Sequence, residues 1–154
     1  MEGSDRTEYV MTRPYRAPEV MLSPKQYDSP VDMWAFGCVV AEMITRQVLF
    51  NGENYYKTLE MHFELLGCPQ LEWITHTDGL AWVKEKKFHE KKGKPFAELF
   101  PTASKEAQDF LSKLLIMDPN QRMEASQSLK HPYFTSIRKR ETEVLVFSFA
   151  SHLL

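Results

Sequence analysis

Between residues 30 and 45 the chain reads PVDMWAFGCVVAEMIT, and apolar side chains point in almost every direction around a 3.6-residue turn. Val31, Met33, Trp34, Phe36, Val39, Val40, Met43 and Ile44 leave no polar stripe, so the pattern predicts a helix buried at the centre of a domain. Pro30 suits its first position, where a backbone N–H would have no helical partner anyway. A second helix of about a dozen residues is predicted to end at Gly67, with Leu59, Phe63 and Leu66 facing inward and Pro69 as its stop signal. A third follows Ser104, where Ala107, Phe110, Leu111, Leu114 and Leu115 recur at helical spacing. Ser104 is its candidate N-cap, and Glu106 in the first turn suits the helix dipole. Asp118-Pro119-Asn120 reads as a turn, and a short helix is expected to stop before His131-Pro132. Residues 1–29 are loop-like apart from a short helix around Pro18 to Leu22. Residues 70–101 show little periodicity and read as a long surface insert. No segment alternates as a strand, and the expectation is a mainly α chain without internal repeats.

Composition narrows the class. A chain of 154 residues suffices for one sizeable core, and 43% apolar with 26% charged residues is a globular balance. The net charge of −2 argues against a chain built to bind nucleic acid. Cys38 and Cys68 have no metal-ligand or redox spacing and fit small apolar residues of a reducing compartment, cytoplasmic and/or nuclear. The start MEGSDR lacks the apolar stretch of a secretory signal, and no apolar run is long enough to span a membrane, so no membrane partner is expected. The run KEKKFHEKKGK carries six lysines against two glutamates. Its ordinary reading is a solvated face, with an anionic partner as the alternative.

Familiar chemical constellations are missing from the sequence. The six glycines never lie closer than twelve residues apart, so no Gly-rich loop can cradle phosphates. The histidines show no zinc-type spacing with one another or with a cysteine, and no Gly-x-Ser-x-Gly elbow occurs. No catalytic residue and no metal ligand is assigned within the chain.

Three motifs are specific. TRPYRAPEV, then VDMWAFGCVVAEM, then DPNQRMEASQSLKHPYF resemble, in order and spacing, a eukaryotic serine/threonine protein kinase of the CMGC group. Ala17-Pro18-Glu19 is similar to the end of a kinase activation segment. Thr7-Glu8-Tyr9 resembles the dual phosphorylation site of MAP kinases, and the insert before LFP sits where those kinases also carry one. The resemblance runs from residue 7 to about 136. It implies a helical C-terminal lobe of the protein-kinase fold, with the N-terminal β lobe and catalytic loop absent. On that reading residues 1–29 are a partial activation segment, residues 30–136 the helical lobe with its insert at about 70–101, and residues 137–154 a C-terminal tail.

The resemblance also implies roles. Phosphate on Thr7 and Tyr9 would add roughly −1.5 to −2 charges each, and Arg13 and Arg16 match the arginines that bind phosphotyrosine. Glu19 and Arg122 match a buried structural ion pair. Asp32 matches the aspartate that holds the catalytic-loop backbone from below, while Trp34 and Gly37 are packing residues. Thr12 matches the threonine that bonds the catalytic aspartate and lysine. Val10, Thr12, Pro14, Tyr15 and Arg16 would form the pocket for the substrate residue after the phosphoacceptor. Pro14 departs from the pattern, since the family usually places an aromatic ring there, and the pocket floor is altered. Arg138, Lys139 and Arg140 stand where MAP kinases tend to carry acidic docking residues.

Phosphoryl transfer itself needs a Gly-rich loop, a strand lysine, a catalytic aspartate and magnesium ligands, and none of these motifs is present in the 154 residues. The sequence therefore reads as a kinase cut inside its activation segment. The complete kinase would use ATP and Mg2+, which this chain alone is not expected to hold. Its expected partners are an upstream dual-specificity kinase, protein substrates and phosphatases. A second reading is a non-catalytic decoy or scaffold that binds activators, substrates or phosphatases.

Overall fold

The computed structural model describes residues 13–23, 30–68 and 70–138. These residues form helices and 3-10 turns, with no strand among them. Helix α1 (Pro18–Leu22) leads to α2 (Pro30–Thr45) and α3 (Tyr55–Leu66). Next come α4 (Thr77–Glu85), α5 (Phe96–Leu99), α6 (Lys105–Leu114) and α7 (Ala125–Ser128).

The caps explain where the longer helices begin and end. Asn54 accepts a hydrogen bond from the Lys57 amide at 3.0 Å and opens α3. Ser104 accepts from Ala107 at 3.2 Å and opens α6, as its position predicts. Gly67 ends α3 with a positive φ of 69°, and its amide bonds back to Phe63. Gly93 lies back to back with it: a Cβ on Gly93 would come within 2.3 Å of the Leu66 backbone. Two side chains are thereby excluded at one close approach between α3 and the later loop.

Helix α2 carries the packing. Val31, Trp34, Cys38, Val40 and Ala41 face inward, and Gly37 admits α6, since a Cβ there would meet Leu114 Cβ and Leu115 Cδ2 at 3.0 Å. The expectation of a helix buried all round fails on one side. Phe36, Val39 and Met43 are 40%, 45% and 67% exposed, in line with exposed Asp32 at spacings of three and four. An apolar composition cannot reveal that one face lacks a neighbour.

The segment 70–101 also departs from expectation. It is woven into the core through Trp73, Ile74, Val83, Phe88 and Phe100, all buried. Phe88 stacks on Phe63 at 4.9 Å and leans on Trp82 at 5.2 Å. Its elements are short helices joined by loops, too brief to display a period, so single aromatic anchors do the packing.

Trp34, Phe50 and His62 form a closed aromatic nest. Trp34 stacks on Phe50 at 5.5 Å, and His62 meets Phe50 at 4.3 Å and Trp34 at 4.9 Å edge-on. His62 is fully buried, and neither ring nitrogen has a hydrogen-bond partner among the described residues. Burial, helped by the Arg122 charge, lowers its pKa to about 3. The folded chain thus holds His62 neutral, while an unfolded histidine titrates near 6.5. Protons bind the unfolded chain first, so stability is retained above about pH 6.5 and lost as pH falls towards 3, at about 1.4 kcal/mol per pH unit. Urea melts between pH 7.5 and 5 should show this slope, and His62→Leu should flatten it. An equal slope in both proteins would exclude His62 as its source.

Candidate functional site

The charged centre of the structure is built from α1, the start of α2 and the loop after α6. Pro18 sets the first turn of α1 and places Glu19 in it, facing inward. Asp118 accepts from the Asn120 amide at 2.9 Å and opens a 3-10 turn over Pro119–Gln121, which ends at Arg122. Arg122 Nη1 donates to Glu19 Oε1 at 2.8 Å, and Nη2 donates to Oε2 at 3.0 Å. Nη1 also donates to the Pro30 carbonyl at 2.6 Å, while Nε and Nη2 donate to the Ile116 carbonyl at 3.2 and 3.0 Å. All five guanidinium N–H groups are thereby used. The guanidinium also lies over the Trp34 ring, 5.1 Å from its centroid. Both charged residues are buried.

A second pair of contacts holds the preceding segment. Arg13–Tyr15 is a 3-10 turn, and the Tyr15 hydroxyl donates to Glu42 Oε2 at 2.5 Å. That bond to a carboxylate, with some desolvation and the Glu42 charge, raises the Tyr15 pKa. The Tyr55 hydroxyl donates to the Met21 carbonyl at the end of α1. Residues 13–22 are therefore fastened to α2, to α3 and to the Arg122 loop.

Glu19, Arg122 and Trp34 come together in one cluster, and Gly37 lies on the α6 side of α2. Pro14 and Arg16 are half-buried beside the Tyr15 turn. Asp32 is not drawn into the cluster: it stands exposed at the head of the uncovered α2 face. Thr7, Tyr9, Val10 and Thr12 lie outside the described residues, and of Arg13 only the backbone is described. Glu42, Tyr55 and His62 were not singled out from sequence. Glu42 carried a usable signal, as an acid well inside an apolar helix.

The cluster is suited to anchoring, since the Arg122 donors are spent on both Glu19 oxygens and on the Pro30 and Ile116 carbonyls. Among the described residues no group of three His, Cys, Asp or Glu side chains could hold a metal ion. The described residues thus do not fit a magnesium site. Burial pushes the Cys38 thiol well up and the Cys68 thiol up to about 11, so neither is a poised nucleophile.

Comparison with known proteins gives this anchor its context. The protein kinase domain family matches residues 1–134. The chain belongs to the protein kinase family.

Its similarity is to MAP kinases in particular. It is 41% identical over 140 residues to mitogen-activated protein kinase 13 of Bos taurus, covering 90% of this chain and 38% of that protein. It is 39% identical over 140 residues to mitogen-activated protein kinase spk1 of Schizosaccharomyces pombe, covering 89% and 37%. The fold matches a solved MAP kinase from Leishmania major, with a TM-score of 0.76 and 34% identity over 85% of this chain and 43% of that one. The chain thus spans well under half the length of the kinases it resembles.

These matches correct the expectation of a helical C-terminal lobe. The family that aligns with residues 1–134 is the protein kinase domain as such, and the matched structures are MAP kinases, not lobes. The described residues are helical, but helical content reflects local pattern and cannot set the limits of a lobe.

Removing Arg122 should expose how much the fold relies on it. Arg122→Ala leaves Glu19 buried and unpaired and should cost ~3–5 kcal/mol. Urea melts of Arg122→Ala, Glu19→Ala and the double variant test this. The double variant should lose less than the sum of the two, because no stranded charge remains. Simple additivity would count against a coupled buried pair.

Proposed function

We propose that this chain is part of a MAP-kinase-like serine/threonine protein kinase, in which it carries the regulated segment and the body that anchors it. The complete kinase transfers the phosphoryl group of ATP, with Mg2+, to protein substrates. The observation that carries this reading is the Glu19–Arg122 lock, whose Glu19 follows Thr7-Glu8-Tyr9 by ten residues in the sequence. A phosphorylation switch needs one stretch that gains charge and one fixed end, and the lock supplies the fixed end.

In this reading an upstream dual-specificity kinase modifies Thr7 and Tyr9, and phosphatases reverse it. Each phosphate adds roughly −1.5 to −2 charges with oxygens that accept from guanidinium groups. Arg13 and Arg16 are assigned to bind the phosphotyrosine. Val10, Thr12, Pro14, Tyr15 and Arg16 are assigned to the pocket that receives the substrate residue after the phosphoacceptor. The Tyr15–Glu42 bond holds one wall of that pocket against α2. Asp32 is assigned to a catalytic-loop backbone, and its exposure beside Phe36 supports that assignment. The 154 residues contain none of the nucleotide-binding motifs, so the chain on its own is assigned no phosphoryl transfer.

Two measurements test this. Incubation with a panel of MAP kinase kinases, followed by mass spectrometry, should find phosphate on Thr7 and Tyr9. Modification elsewhere with both residues untouched would overturn the assignment of the switch. Calorimetry with Mg-ATP should show no saturable binding, and micromolar binding would overturn the assignment of inactivity.

A further inference from the structure

The lysine-rich segment is held by more than its own solvation. Phe88, buried against Phe63 and Trp82, pins its middle to the core. Lys84, Lys86 and Lys87 precede that anchor at the end of α4, and Lys91, Lys92 and Lys94 follow it. The Lys94 amide donates to the Leu65 carbonyl at 2.8 Å, and the Lys91 amide donates to the Phe88 carbonyl at 3.0 Å. Behind the second triplet, Gly67 and Gly93 pack too closely for any side chain. Lys87 adopts a left-handed backbone (φ 55°), unfavourable for a lysine and imposed by the turn onto Phe88.

All six lysines are exposed, and among the described residues none of them is in an ion pair. The carboxylates within the segment are Glu85 and Glu90, and Glu90 lies 3.9 Å from His89. A surplus of four positive charges is thus displayed on a pinned backbone, in a chain whose net charge is −2. Fixing six like charges together is unfavourable by itself and is relieved by an anion.

We propose that this surface binds an acidic segment of a partner protein, its two lysine triplets meeting carboxylates on either side of the Phe88 anchor. Three features favour carboxylates over other anions. The segment has no arginine, whose planar fork suits phosphate. Among the described residues only Tyr56, tilted on Trp82 at 6.0 Å, is a large exposed ring at its border, too little to stack bases. No large aliphatic side chain within it is exposed to enter a lipid surface.

Fluorescence anisotropy of the full chain with a fluorescein-labelled glutamate-rich peptide tests the proposal. Binding should weaken as salt rises. It should also weaken at least ~10-fold in the variant Lys84→Gln/Lys86→Gln/Lys87→Gln and in Lys91→Gln/Lys92→Gln/Lys94→Gln, circular dichroism confirming that both fold. Lys57→Gln, on α3 and outside the segment, should bind like the parent. No binding by the parent, binding by both triple variants equal to the parent's, or an equal loss in Lys57→Gln would overturn the proposal. So would tighter binding to duplex DNA or to phosphatidylserine vesicles than to the peptide.

Discussion

The buried bond between Glu19 and Arg122 is the constraint on which the rest of the structure depends. Its partners are 103 residues apart in the chain, so no local signal could bring them together. Two charges taken out of water are unfavourable unless every polar atom is answered. Here the carboxylate takes two N–H groups, and the carbonyls of Pro30 and Ile116 take the remainder. The pair adds little net stability compared with an apolar contact of the same size. What it does is fix α1 against the Arg122 loop, since removing either partner would leave the other charge buried and unanswered.

The same guanidinium is joined to the aromatic core. It lies over Trp34, and Trp34 forms one wall of the nest that holds His62. The positive charge therefore reinforces burial in keeping the imidazole neutral. Packing of α2, fastening of α1 and the protonation state of a core histidine are three consequences of one placement. The uncovered face of α2 stands on the other side of this arrangement, where Phe36 touches α6 through Phe110 at 6.1 Å edge-on, while Val39 and Met43 remain outside.

Much of the fold was legible because its signals are local. Pro30, Gly67 and Ser104 act within one turn of themselves, and α2, α3 and α6 begin or end where those residues stand. The amphipathic spacing of α6 likewise needs no knowledge of its neighbours. Residues 70–101 were misread as a surface insert because their helices are short and their anchors isolated: Val83 stands just before, and Phe88 within, a lysine-rich run whose charge hides them. The limits of a lobe were not legible at all, since a helical pattern describes segments and not how a domain is divided.

For the site, the residue types and their order lay in the sequence: Ala17-Pro18-Glu19, the arginine after Asp118-Pro119-Asn120, and the motif around Trp34. Those identities dictate which groups must be answered, because a buried carboxylate and guanidinium tolerate few alternatives. Tertiary structure alone decided who answers them. It brought Pro30 and Ile116 to Arg122, set Glu42 against Tyr15, enclosed His62 and left Asp32 in the open. The physical reason is one of range. Periodicity and capping act over a few residues, whereas desolvation and the pairing of buried polar groups depend on neighbours that only the folded chain supplies.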